Sequence, residues 1–134
     1  MTTAQTWEAE CVANSARSQM AEGIARSLAP ADVKISSAGS APSKVNSLAV
    51  RVLAEIGIDA TGQRSKSVND IPPDDVDAVI TLCAEEVCPV FLGKARRYPW
   101  GLPEPAGATD EERLRAFRGV RDELKRRLSV VFGR

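Results

Sequence analysis

Residues 77–82, Asp-Ala-Val-Ile-Thr-Leu, are apolar almost throughout. A strand with one face in water alternates apolar and polar side chains. An unbroken apolar run therefore reads as a central strand covered on both faces. Elsewhere short apolar runs alternate with longer amphipathic stretches, the pattern of an α/β domain with a mostly parallel sheet. Met20, Ile24 and Leu28 recur at helical spacing and predict a first helix over residues 15–28. Val33 to Ser37 reads as a strand ended by Ala38-Gly39. Asn46 or Ser47 caps a second helix, with Ala49, Leu53 and Ile56 on one face and Gly57 ending it. Arg97 to Trp100 is the candidate for a short final strand. A last helix is predicted from about Asp110 to Val131, with Leu114, Phe117, Val120, Leu124, Leu128 and Val131 as its buried stripe. Asp110, Glu111 and Glu112 open it, and Lys125, Arg126 and Arg127 stand near its end, as the macrodipole favours.

The segment Gln5 to Glu10 fits this pattern least. A first central strand belongs there, yet only Trp7 and Ala9 supply an apolar face, with Glu8 and Glu10 on the other. The expectation is that this strand lies near an edge, or that the N-terminus departs from the fold's usual pattern. No internal repeat, low-complexity tract or linker interrupts the 134 residues, so they read as a single domain. No apolar run approaches the ~18 residues that span a bilayer, and the first residues lack the layout of a signal peptide. The expected location is the cytoplasm. Lys plus Arg (18) balances Asp plus Glu (18), which gives no electrostatic reason to expect nucleic acid or membrane as a partner.

Three cysteines and no histidine narrow the chemistry. Ser-His and Cys-His catalytic pairs are excluded, as are zinc sites that contain histidine. Three thiols do not complete the usual four-ligand structural site, so neither metal nor cofactor is expected. An odd number of cysteines also argues against a disulfide framework. Any nucleophile must be activated by dipoles and cations. Cys11-Val12-Ala13-Asn14-Ser15-Ala16-Arg17-Ser18 offers both, as a C-x5-R-S segment leading into the first helix. Small residues at a helix N-terminus turn successive backbone N–H groups inward and make an anion nest. The same dipoles favour the Cys11 thiolate. Arg17 adds a fork of donors matched to a tetrahedral oxyanion. Ser18 is placed to donate to the thiolate, and Asn14 to pin the loop.

The segment Cys11 to Gly23, CVANSARSQMAEG, resembles the phosphate-binding loop and first helix of low-molecular-weight tyrosine phosphatases, and more closely the arsenate reductases that share their fold. The similarity continues through Ser37-Ala-Gly39, Val45-Asn46, Leu53 to Asp59, Gly62 to Ser67, Thr81-Leu-Cys83, Cys88-Pro89 and Trp100 to Pro105. The resemblance implies an open, mostly parallel four-stranded sheet flanked by helices on both faces. It implies arsenate as substrate, with phosphate and sulfate as competing oxyanions. It further implies a relay in which Cys11 attacks arsenic, Cys83 and then Cys88 resolve the adduct, and thioredoxin reduces the final Cys83–Cys88 pair. Four residues separate those two thiols, a shorter spacing than in the best-known thioredoxin-linked relatives. Glu104, between Pro103 and Pro105, stands where this fold keeps an aspartate general acid. Some relatives bind potassium near the position of Glu22, and here Lys66 is the candidate to supply that positive charge.

Three other readings compete. A phosphotyrosine phosphatase needs the loop, Arg17 and an acid, but neither Cys83 nor Cys88. Ala106-Gly107-Ala108 follows the acid where such phosphatases place aromatic residues, and this suits a small inorganic anion better. An impaired oxyanion-binding homologue would account for the polar N-terminal segment. A reductase drawing electrons from a low-molecular-weight thiol and a glutaredoxin-like partner is the third.

Overall fold

The computed structural model describes residues 5–10, 16–39, 43–67, 70, 76–83 and 96–133, the backbone alone at 5–10, 83 and 97. Along the chain these form β1 (Gln5–Glu10), α1 (Arg17–Leu28), β2 (Val33–Ala38), α2 (Ser47–Ala54), β3 (Ala78–Cys83), β4 (Arg96–Leu102) and α3 (Asp110–Phe132). The strands make one sheet in the order β2-β1-β3-β4, and every adjacent pair is parallel.

β3 meets the expectation for an apolar run. Ile80 and Leu82 lie two residues apart and join the core from one face. Val79 points to the opposite face and is also only 1% exposed, so the strand is covered on both sides. β1 departs from one expectation. It pairs with β2 on one side and β3 on the other, which makes it an interior strand rather than an edge. The reason is the backbone ladder. Six residues of β1 pair with β2 and four with β3, and the ladder forms whatever the side-chain pattern. β4 is longer than Arg97 to Trp100, because its pairing with β3 runs from Arg96 to Leu102 across a register shift between Thr81 and Cys83.

The helices follow the residues that predicted them. Met20 and Ile24 of α1, Val52 and Leu53 of α2, and Phe117, Leu124 and Leu128 of α3 form one apolar cluster with Ile35, Ile80, Leu82 and Leu102. Asn46 caps α2 by accepting a hydrogen bond from the Leu48 amide at 2.8 Å. The chain leaves α2 through Gly57, whose φ of 81° is a conformation that glycine adopts without strain. In α3 the stripe shifts at its end. Val131 is 38% exposed, and Phe132, four residues after Leu128, packs on the core instead. The last turn of α3 carries no basic residue. Arg126 and Arg127 lie a turn earlier, where both donate to Glu123.

α2 and α3 are locked by ion pairs. Arg118 donates to Glu55 through Nε and Nη2 at 2.9 and 2.6 Å. The buried Arg121 donates from Nη1 to the Val52 carbonyl at 2.9 Å and to Glu55 at 2.8 Å. The hydrogen bond from Arg118, aided by Arg121, holds the Glu55 carboxyl down at about 2. Its folded value is depressed, so the contribution to stability is full above the ordinary carboxylate range of ~4.3 and is lost as pH falls toward 2. Glu55→Gln should therefore lower the Tm at pH 7, with the gap to the parent closing between pH 5 and pH 2. Thermal scans by circular dichroism across that range test the point, and a gap independent of pH would refute it.

Candidate active site

The order β2-β1-β3-β4 contains a topological switch. The chain crosses from β1 to β2 on one side and later places β3 on the other side of β1. Parallel sheets bind ligands in the crevice outside the carboxyl ends of the two strands at such a point. Here those are β1 and β3, where Glu10 and Thr81 are register partners. Cys11 is the next residue after Glu10, and Cys83 is the last residue of β3. The backbone at Cys83 pairs with Leu102, so the end of β4 belongs to the same edge.

Arg17 points into this edge. It opens α1, is 8% exposed, and donates from Nη1 to the carbonyls of Leu102 at 2.8 Å and Leu82 at 3.3 Å. A guanidinium stays charged when buried and requires acceptors. The last carbonyls of two strands, where the ladder runs out, provide them. Ala16 is the N-cap and makes no side-chain hydrogen bond to the first turn. The first turn of α1 also contains no acidic residue, so the positive end of the helix is not neutralised by its own side chains. Ser18 and Gln19 are fully buried beside Arg17.

Two polar clusters hold α1 against the segment that follows α2. Gln19 donates to the Arg64 carbonyl at 2.9 Å. Gln63 donates to Gln19, to the backbone carbonyl at 3.0 Å and to Oε1 at 2.8 Å. Glu22 is 1% exposed and accepts from the Ser37 hydroxyl at 2.7 Å. The Lys66 ammonium lies 3.2 Å from the same carboxylate, and Arg26 is 3.4 Å from its other oxygen. The buried carboxylate is thus matched by cations of the chain itself.

Glu104 is exposed and reaches the site from a loop joining β4 to α3. Both ends of that loop are tied. Leu102 is buried at the end of β4. At the other end Thr109 caps α3 by accepting from the Glu112 amide at 3.1 Å, while Glu112 accepts from the Ala108 amide at 2.9 Å. The tetrapeptide Thr-Asp-Glu-Glu is a capping-box pattern, and it was the signal in the sequence for this anchor. Arg113 pairs with Asp110 and donates to the Gly107 carbonyl at 3.4 Å.

Ala16, Arg17 and Glu104 line one cavity of about 670 Å³, together with Asn46, Ser47, Leu48 and Arg51 of the α2 end and Asp110, Arg113 and Phe117 of α3. The structure thus brings Ala16, Arg17 and Glu104 together, with Ser18 buried behind them and the backbone of Cys83 adjoining. Cys11, Val12, Ala13, Asn14, Ser15 and Cys88 lie outside the described residues. Among the described residues no group of three or more potential ligands could hold a metal ion, and no helix is long and apolar enough to cross a membrane.

The family of low molecular weight phosphotyrosine protein phosphatases matches residues 10–133. The chain belongs to that family. Within it, the chain is 41% identical over 124 residues to an arsenate reductase of Halalkalibacterium halodurans, spanning 90% of this chain and 89% of the relative. A glutaredoxin arsenate reductase of Synechocystis is 36% identical over 92% of this chain and 93% of its own length. Among solved structures, an arsenate reductase in the phosphate binding state superposes with a TM-score of 0.80 at 33% identity, covering 96% of this chain and 97% of the other. A thioredoxin-dependent arsenate reductase of Corynebacterium glutamicum superposes at 0.66 with 25% identity, and this chain covers 64% of it.

The anchoring of the Glu104 loop yields a prediction. A Cβ at Gly107 would stand 2.7 Å from the Arg113 amide nitrogen and from Glu112 Cβ, too close for any real contact. Gly107→Ala should destabilise the fold by about 1–3 kcal/mol, the usual cost of overpacking. It should also reduce turnover by displacing Glu104. Gly119→Ala, where the added Cβ meets nothing within 4 Å, is the control and should leave both unharmed. Thermal melts and turnover rates on the two variants decide the matter.

Proposed function

We propose that this protein reduces arsenate to arsenite with Cys11 as nucleophile and Cys83 and Cys88 as resolving thiols. One observation carries the reading. The backbone sets the end of β1, which Cys11 follows, beside the end of β3, which is Cys83, at the strand edge that Arg17 faces. A phosphatase needs the first of these residues and Arg17, but has no use for a thiol at the end of β3. The likeness to arsenate reductases over nine-tenths of the chain supports the same conclusion.

In the proposed sequence the Cys11 thiolate attacks arsenic, and an arsenate oxygen leaves as water with a proton from Glu104. Arg17 and the α1 N-terminus hold the remaining oxygens. The Cys83 thiolate then attacks the Cys11 sulfur. The electron pair of the As–S bond goes to arsenic, which departs as arsenite, and a Cys11–Cys83 disulfide forms. Cys88 attacks Cys83 in turn, freeing Cys11 and leaving a Cys83–Cys88 disulfide. A dithiol protein of the thioredoxin class reduces that pair in our reading. The thioredoxin-dependent relative supports it, whereas the glutaredoxin-named relative makes a glutathione-linked donor the competing outcome. Phosphate and sulfate compete for the same cradle. Lys66, against Glu22, we assign as the built-in cation where some relatives use potassium. A cytoplasmic setting, which keeps thiols reduced, suits such a relay.

A single turnover tests the proposal. Fully reduced protein mixed with arsenate, without external reductant, should release about one arsenite per chain, lose two thiols and carry a Cys83–Cys88 disulfide by mass spectrometry. Cys88→Ser should still release one arsenite but stop at Cys11–Cys83, and Cys11→Ser should release none. Glu104→Gln should slow the first step by about 100-fold, within the range for loss of a proton donor. Hydrolysis of an aryl phosphate without arsenite release or thiol loss would make the protein a phosphatase instead. Exchanging potassium for sodium should leave the rate unchanged.

A further inference from the structure

The cleft that Arg17 lines is far larger than a tetrahedral oxyanion requires. Its 670 Å³ falls within the roughly 300–1,000 Å³ that accommodates a whole organic ligand. A small dianion entering such a space needs guidance to reach Arg17. Among the described residues three cations line the cleft, and their engagements differ. Arg17 is bound to the ends of β3 and β4. Arg113 is occupied by Asp110 and the Gly107 carbonyl. The Arg51 guanidinium, exposed on α2, has no hydrogen-bond or ion-pair partner among the described residues.

The surroundings sharpen the contrast. Asp110 and Glu111 also line the cleft, and Glu111 has no ion-pair partner among the described residues. Such carboxylates oppose the approach of a dianion. At the start of α2, the Leu48 amide is already taken by Asn46. Ser47 lies one helical turn before Arg51, so both occupy one face of α2, and both line the cleft.

We propose that Arg51 is a specificity-determining residue whose charge draws the tetrahedral dianion into the cleft and continues to attract it when it is held at Arg17. This inference rests on the oxyanion-binding part of the function proposed above and does not require the thiol relay. Arg51 favours a compact dianion, whereas a neutral aryl face would draw instead on the apolar Leu48, Pro105, Leu114 and Phe117 of the same cleft. Its exposure makes the effect sensitive to salt, with screening nearly complete at about 1 M and weak at about 0.01 M.

The test uses inorganic phosphate as a probe, so that binding is read without turnover. Titration calorimetry on Arg51→Gln should give a Kd for phosphate about fivefold weaker than the parent at low salt, the scale of one exposed ion pair. The two proteins should converge at high salt. Arg51→Lys should recover most of the affinity. In arsenate turnover, KM should rise by a similar factor while kcat stays within about twofold, since the attraction acts equally on the bound substrate and on its transition state. Equal phosphate affinity in parent and Arg51→Gln, with Tm unchanged, would overturn the proposal, as would a loss that Arg51→Lys does not recover. If arsenite is never formed but phosphate binding still depends on Arg51 and on salt, the reductase reading fails and this inference stands.

Discussion

A charged guanidinium buried at the carboxyl edge of a parallel sheet is the constraint around which the site is organised. Arg17 is required to find acceptors where the helix it opens meets the ends of β3 and β4, and it takes the Leu82 and Leu102 carbonyls. That single choice orients α1, aims its N-terminus at the crevice and ties together two strands whose ladder is irregular near that edge. Burying a charge is costly unless it is fully hydrogen-bonded. The cost makes sense where an anion is to be held, because a fixed donor needs no reorganisation when the ligand arrives.

The remaining elements hold α1 and the Glu104 loop in relation to that anchor. Gln19 and Gln63 clasp the helix to the segment after α2, and Glu22 is neutralised from inside by Lys66 and Arg26. The Glu104 loop hangs between a buried Leu102 and the cap of α3, so the motion of its carboxyl is limited by two fixed ends. Glu55 joins α2 to α3 on the far side. These polar links run between elements distant in sequence, which is why they determine geometry more than they add to the apolar core. The cleft they enclose is open and carries both signs of charge. Its binding selectivity depends on which charges already have partners.

Much of this was legible beforehand. Residues 77–82 announced a strand covered on both faces, because a short run so largely apolar and rich in β-branched residues suits a central strand. Asn46 and Gly57 marked the ends of α2 through cap chemistry. The C-x5-R-S spacing singled out Arg17, and the proline-flanked Glu104 stood out as a stiffened carboxylate. Two expectations missed for identifiable reasons. A strand's place in a sheet follows from backbone pairing as well as side-chain pattern, and β1 became interior despite Glu8 and Glu10. Helical period drifts over a long helix, and the end of the α3 stripe fell on Phe132 rather than Val131.

Element types, the chemistry on offer and the exclusion of histidine-based catalysis can be read from the chain alone, because they depend on local propensity and residue identity. What those residues meet is a matter of the fold. The strand order that sets Cys83 beside the end of β1, the carbonyls that hold Arg17 and the cleft that gathers Arg17, Arg51 and Glu104 all join residues tens of positions apart. Such meetings arise from burying one continuous core, and no local pattern in the chain records them.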